Sequence, residues 1–423
     1  MKDENWSRAP AGGVDSTYAW VRLAAALALG TIGGVGMWSV VVVLPSVQET
    51  FELSRAEASL SYSLVMTGFG VGGILMGRLV DSIGVLRPML MGIVILSLGY
   101  LATAFAETHW QFAIAYGLLI AMLGCSMSFG PLIADASLWF DKRRGIAVAV
   151  AASGNYMAGT LWPPILQRLV EAYGWRVAHV IVGFTCLVLM LPLAMVLRRS
   201  APVSAPLDVT LPTLQRARVA PPFGPNVLQS LLVIAGITCC LAMAMPQVHI
   251  VAYCGDLGYG PARGAEMLSL MFGFGIISRL LTGAIADRIG ALNTLLLGSF
   301  LQTVALALYV PFDGLMSLYV ISALFGLFQG GIIPSYAILV RDWFPPEQAG
   351  TRVGLTLTAT MIGMAVGGWM TGAIFDLTGS YRAAFLNGVF WNIVNLAIVL
   401  LLIWRTRQVL HTRPARMVAQ PAE

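Results

Sequence analysis

Charge is what this 423-residue sequence has least of: Asp, Glu, Lys and Arg make up 11% of it, while 58% is hydrophobic. A soluble domain of ordinary composition carries about a quarter charged residues, so the bilayer is the expected solvent. Acidic residues are missing from the cores of the apolar runs, and no nucleophile–base pair, carboxylate pair or metal cluster falls in one helix or loop. That excludes an enzyme, and no cofactor or metal is expected. The 5 cysteines show no spacing of a metal site or disulfide framework. Cys125, Cys186, Cys239 and Cys240 lie inside apolar runs and Cys254 at the end of one, as packing residues do.

What the chain has in quantity is apolar runs of about 20 residues, the length that spans a bilayer as a helix. There are twelve, near 21–44, 58–76, 88–105, 112–132, 146–169, 177–197, 227–251, 267–285, 292–310, 315–339, 353–374 and 383–404. They are too long and too uniformly apolar for the alternating strands of a membrane barrel. The first run follows Asp3, Glu4 and Asp15, has no small-residue cleavage site after it, and is expected to stay as a membrane helix.

Basic residues set the topology. Of the 25 Lys and Arg, 19 fall on the side shared by both termini and 5 on the other. The termini are therefore expected in the cytoplasm of a cell whose inner membrane the chain crosses. The basic tail suits anionic lipid, and no nucleic-acid partner is expected.

The chain repeats itself. Proline, arginine and serine crowd residues 200–226, which read as a cytoplasmic linker between a six-helix bundle at 1–199 and a second at 227–423 with a short tail. "GRLVDSIG" from Gly77 matches "GAIADRIG" from Gly283, and "GWRVA" from Gly174 matches "SYRAA" from Ser380. "WFDKRR" from Trp139 aligns with "WFPPEQ" from Trp343 after a small slip. Three matches in order point to duplication.

The paired G-x-x-x-D-R-x-G pattern resembles the major facilitator superfamily over the whole chain. That resemblance implies an all-α membrane protein of twelve helices in two pseudo-symmetric six-helix bundles, monomeric, working by alternating access. It makes Asp81 and Asp287 gate residues, each pairing with a basic residue; Arg288 belongs to the second copy. Ser82 stands where the first copy usually has a basic residue, so that gate borrows Arg87, Arg143 or Arg144. "WFDKRRGIAVAVAASGNYMAG", "GWRVAH" and "GGIIPSYAILVRDWF" are similar to the monocarboxylate transporters and the oxalate:formate antiporter. This narrower likeness implies a carrier of small carboxylates, often with protons, with an arginine on the eighth helix binding the carboxylate.

Arg279 is that arginine, the one basic residue assigned to a helix interior. It lies eight residues before Asp287, about 12 Å along the helix, too deep for its stem to lift the charge clear. Its counterpart in the first half is Gly73, so the shared scaffold does not need it. With no acidic partner in any helix core, its counter-charge is expected from a small organic anion, held bidentately. A lone arginine favours a monocarboxylate. Another organic anion, dicarboxylate or organophosphate, or a drug, is the alternative.

Tyr336 matches Arg279 in depth and is expected to donate its hydroxyl to the substrate. Asn155 with Tyr156, Tyr116, Tyr62, and Gln247 with His249 follow as substrate-binding candidates. His249 is also the expected proton carrier if transport is proton symport rather than anion exchange. Trp20, Trp110, Trp175 and Trp404 read as interface anchors. Gly30 with Gly34, Gly68 with Gly72, Gly363 with Gly367, and Gly368 with Gly372 read as close helix contacts.

Overall fold

Lipid offers the backbone no hydrogen-bond partner, so an apolar chain of this kind resolves into helices. The computed structural model describes residues 13–141, 143–199 and 223–412; the proposed linker, 200–226, falls mostly outside them. Its membrane-spanning helices are α1 (Thr17–Thr50), α2 (Arg55–Ile83), α3 (Leu86–Ala104), α4 (His109–Leu138), α5 (145–173), α6 (175–198), α7 (Pro225–Asp256), α8 (Pro261–Ile289), α9 (Ala291–Leu308), α10 (Leu315–Trp343), α11 (Gly350–Thr378) and α12 (Tyr381–Val409). The α5–α6 boundary is Gly174, whose φ of 78° breaks an otherwise continuous helical run.

Six helices pack in each half, and the pairing repeats six helices later. α1 lies on α5, α2 on α4 and α3 on α6; α7 lies on α11, α8 on α10 and α9 on α12. Small residues make the closest approaches. A Cβ on Gly68 or Gly72 would stand 2.2 or 2.1 Å from a carbonyl oxygen of α4, and one on Gly363 or Gly367 2.4 or 2.3 Å from one of α7. Substitution there forces helices apart. The motif glycines Gly84 and Gly290, at φ 80° and 84°, end α2 and α8 in a conformation that glycine alone takes without strain. Asp81 and Asp287 consequently sit in the last helical turn, not in a loop.

The halves meet along two seams, α2 with α11 and α5 with α8, and both seams part towards the face shared by residues 13 and 412, called here the terminal face. On the first, Asp376 accepts from the backbone N–H groups of Arg55 and Ala56 at 2.9 and 2.8 Å. Gly372 and Gly368 then seat Arg55 and Tyr62, and Ser63 Oγ donates to Ala365 O at 2.6 Å. On the second, Ser269 Oγ donates to Thr160 O, Phe272 fills the space at Gly159, and Tyr156 that at Gly275. Beyond these levels no neighbouring atom lies within 4 Å of the Cβ positions of Gly73, Gly77, Gly145, Gly283 or Gly354. Among the described residues the halves are joined on the far face and stand apart on the terminal face.

Candidate functional site

Arg279 stands where the α5–α8 seam ends. Its guanidinium carbon lies 3.8 Å from the centroid of the Tyr156 ring, and Nη1 donates to Ala152 O across the seam at 3.2 Å. Nε is buried without a partner, while the side chain as a whole is half-buried. The absence of a Cβ at Gly275, one turn back along α8, makes the stacking possible: a methyl there would come 2.4 Å from Tyr156 Cε1. Tyr156 packs edge-on against Phe272 at 5.5 Å, and Phe272 against Trp38 at 4.1 Å. Asn155 Oδ1 accepts from Trp38 Nε1 at 3.0 Å and fixes the far end of this column.

The column is an apolar wall drawn from α1, α5 and α8, capped by one cation. Stacking on tyrosine contributes about 2 kcal/mol to holding a desolvated guanidinium but supplies no counter-charge. Among the described residues Arg279 makes no ion pair, and the Tyr156 hydroxyl makes no hydrogen bond. A cation with an unpartnered N–H, beside an uncommitted hydroxyl, at the base of an opening is chemically suited to an anion.

Tyr156 is the sequence candidate that the structure brings to Arg279, and Asn155 holds Trp38 at the other end of the same column. The others it places elsewhere. Tyr336 is fully buried and donates to Asn395 Oδ1 at 2.9 Å, within a polar cluster that includes Ser299 and Asn392. Its hydroxyl is committed to that cluster and does not face Arg279. Tyr116 bonds to Ser39 Oγ inside the first bundle, as Tyr100 does. Tyr62 and His249 lie on the α2–α11 seam on either side of Gly368. The Tyr62 ring occupies the space a Cβ would need, and His249 Nε2 donates to Gly368 O at 2.9 Å.

The expected gate pairs are not formed. Asp81, Arg87, Arg143, Asp287 and Arg288 are exposed and, among the described residues, make no ion pair with one another. Arg143 lies over the Trp20 ring, and the side chain of Arg144 is outside the described residues. Each of the five is solvent-exposed, where an ion pair gains too little to hold two side chains together.

Two ion pairs escaped the sequence reading. Arg22 and Asp135, 2% and 6% exposed, join α1 to α4 through two bonds of 2.7 Å, with Arg22 also over the Trp139 ring. This corrects the expectation that helix interiors hold no acid and only one arginine: α4 runs beyond its apolar stretch and buries Asp135, and Arg22, at the edge of the first stretch, is buried against it. On the far face Arg55 grips Asp256 with 2.6 and 2.8 Å bonds from α2 to α7. Together with Asp376 this makes a lock between the halves. Trp175, expected at the interface, is instead buried and donates to Thr50 Oγ1.

Residues 26–321 and 311–420 match the Major Facilitator Superfamily. The chain belongs to that superfamily. It is a multi-pass membrane transporter, not an enzyme. Among curated superfamily members, it is 28% identical to human monocarboxylate transporter 11, covering 89% of this chain and 81% of the relative. It is 26% identical to rat monocarboxylate transporter 13, covering 85% and 82%. An MFS-type transporter of Aspergillus niger, pynF, is 25% identical over 72% and 69%. Solved superfamily folds superpose as well. The nucleoside transporter NupG gives a TM-score of 0.69 over 91% of this chain and 99% of its own, and a bacterial homologue of the lysosomal transporter Spinster gives 0.66 over 92% and 96%, each at 14% identity.

Proposed function

We propose that this facilitator carries a small monocarboxylate across the inner membrane, with both termini cytoplasmic, so that the open terminal face is the cytoplasmic entrance. The observation that carries the reading is the cation of Arg279, stacked on Tyr156 at the base of that entrance without an acidic partner. The carboxylate replaces the missing counter-charge: it accepts from Arg279 and from the Tyr156 hydroxyl, and the Trp38–Phe272–Tyr156 column packs against the carbon chain. Likeness to the monocarboxylate transporters supports the substrate class.

The cycle follows from the two faces. Residues 1–199 and 227–423 rock as units about the bound anion. The Arg55–Asp256 lock opens on the far side, while Asp81, Asp287 and the basic residues Arg87, Arg143, Arg144 and Arg288 come together on the other. Proton symport, if it operates, runs through His249, which donates from Nε2 and leaves buried Nδ1 free to take a proton.

The test is uptake into proteoliposomes of labelled lactate, pyruvate, formate, oxalate and an organic cation. Monocarboxylate uptake that disappears in Arg279→Ala and falls at least tenfold in Arg279→Lys supports the reading, since lysine keeps the charge but not the fork. Uptake of the dianion or the cation alone favours the other-anion or drug carrier.

A further inference from the structure

We propose that Gln247, Gln329 and Ser278 form a subsite for a hydroxyl borne by the transported anion. The proposal rests on the reading of Arg279 as the carboxylate ligand. Gln247 on α7 and Gln329 on α10 are 1% and 0% exposed, and Gln247 Nε2 donates to Gln329 Oε1 at 2.9 Å. That bond leaves Gln247 Oε1 and Gln329 Nε2 buried without partners, and Ser278 Oγ, on α8, is a third such atom. Turning both amides over exchanges their roles but still leaves one donor and one acceptor over. Each unpaired buried group costs about 1–3 kcal/mol, which a pair present only for packing would avoid by being apolar.

Ser278 lies on the turn of α8 that carries Arg279, Gln329 lies on the segment of α10 packed against that turn, and Gln247 reaches it through Gln329. The Cβ position of Gly275 is crowded by Tyr156 Cε1 at 2.4 Å and flanked by Gly326 O of α10 at 3.7 Å. Gln329 lies three residues on from Gly326, one turn along the same side of α10. Its neighbour Gly330 stands on Ser278, with its Cβ position 3.0 Å from Ser278 Oγ. Ser278 immediately precedes Arg279.

The leftover atoms specify the group they take. A hydroxyl donates to the free amide oxygen and accepts from the free amide N–H, satisfying both. A keto oxygen accepts only and satisfies one, and a methylene satisfies neither. A second carboxylate also accepts only, and it would set its charge against the amide oxygen. The carried acid therefore has one carboxylate for Arg279 and one hydroxyl for the glutamine pair. Sites built to pair a hydroxyl discriminate strongly against analogues that lack it.

The experiment compares proteoliposome uptake of labelled propanoate, 2-oxopropanoate, 2-hydroxypropanoate and 3-hydroxypropanoate. In the wild type one hydroxypropanoate should exceed propanoate at least tenfold in kcat/KM, with the oxo acid between them. The double substitution Gln247→Leu with Gln329→Leu removes both amides at once and should bring that ratio to within twofold of 1, chiefly by loss of hydroxypropanoate uptake. If the double variant does not insert, Ser278→Ala, which removes one oxygen, should lower the ratio at least threefold. Equal wild-type uptake of all four acids overturns the subsite and leaves the Arg279 reading standing. A variant that lowers all four by one factor overturns it too, making the pair structural or the holder of a fixed water. Uptake of none of them overturns the Arg279 reading, and the subsite with it.

Discussion

Weakening the far-face lock should tip the molecule towards its other state, and the structure sets the size of the shift. Arg55 makes two charge-assisted bonds to Asp256, which is about a third exposed, so solvent screening holds the pair to about 1 kcal/mol. Asp376 caps the first N–H groups of α2 from across the seam, a further contribution of about 1 kcal/mol. Both interactions join opposite halves and are lost when the far face opens. Asp256→Asn with Asp376→Ala should therefore remove about 2 kcal/mol from the closed far face, about a 30-fold change in the ratio of states. Spin labels on cysteines replacing Ser82 and Arg288, both exposed on the terminal face, report the two states as long and short distances. The five native cysteines are buried and should label slowly. An unchanged distance distribution in the double variant would refute the lock.

Other expectations concern the site, the scaffold and coupling. Tyr156→Phe keeps the stacking on Arg279 but removes the free hydroxyl, and should raise the KM for the carried acid about tenfold; an unchanged KM removes that hydroxyl from the site. Asp135→Asn leaves Arg22 buried without its counter-charge and should cost about 3–5 kcal/mol, seen as early thermal unfolding in detergent; unchanged unfolding would show that water reaches the pair. An empty carrier reorients with Arg279 bare, so preloaded unlabelled substrate should accelerate uptake of label several-fold, and pH-driven uptake should fall in His249→Gln. No acceleration sinks the exchange argument, and undiminished pH-driven uptake removes the histidine from the proton path.

Height in the membrane was legible in the sequence because residue number along a helix converts directly to depth. Arg279 and Tyr336 were singled out on that ground. Azimuth was not legible everywhere. The helix of Tyr156 is apolar all round and carries no stripe to say which side faces a neighbour, so nothing in the sequence turned Tyr156 towards Arg279. The Tyr336 turn of α10 does carry one, and Tyr336 lies on its buried side with Ile332, Leu339, Val340 and Trp343. The sequence clue to the Tyr156 contact was Gly275, whose meaning emerges only with a ring against it. Asp135 was hidden for another reason: hydropathy finds where the apolar run stops, while α4 continues another turn and buries what it carries, here against Arg22. The duplication was legible because equivalent backbone turns need equivalent residues, as Gly84 and Gly290 show. The state in which the gate acids stand apart is a matter of how the halves lean, which no local motif records.

Three arginines in this fold separate structure from function. Arg22 is almost wholly buried and its charge is answered within its own bundle by Asp135, so it stays paired however the halves move. Arg55 is answered by Asp256 across the boundary, so its pairing depends on the state of the carrier. Arg279 also reaches across the boundary, but to a carbonyl oxygen and an aromatic face, neither of which carries a full negative charge. An arginine kept at that depth for packing alone would be expected to resemble Arg22, since an acid one turn away on α5 would remove most of the cost of burying it. The chain places Ala152 and Tyr156 there instead. Among the described residues no acid answers the charge on the side that opens, and a bound anion makes the same site cheaper to enclose than the empty one.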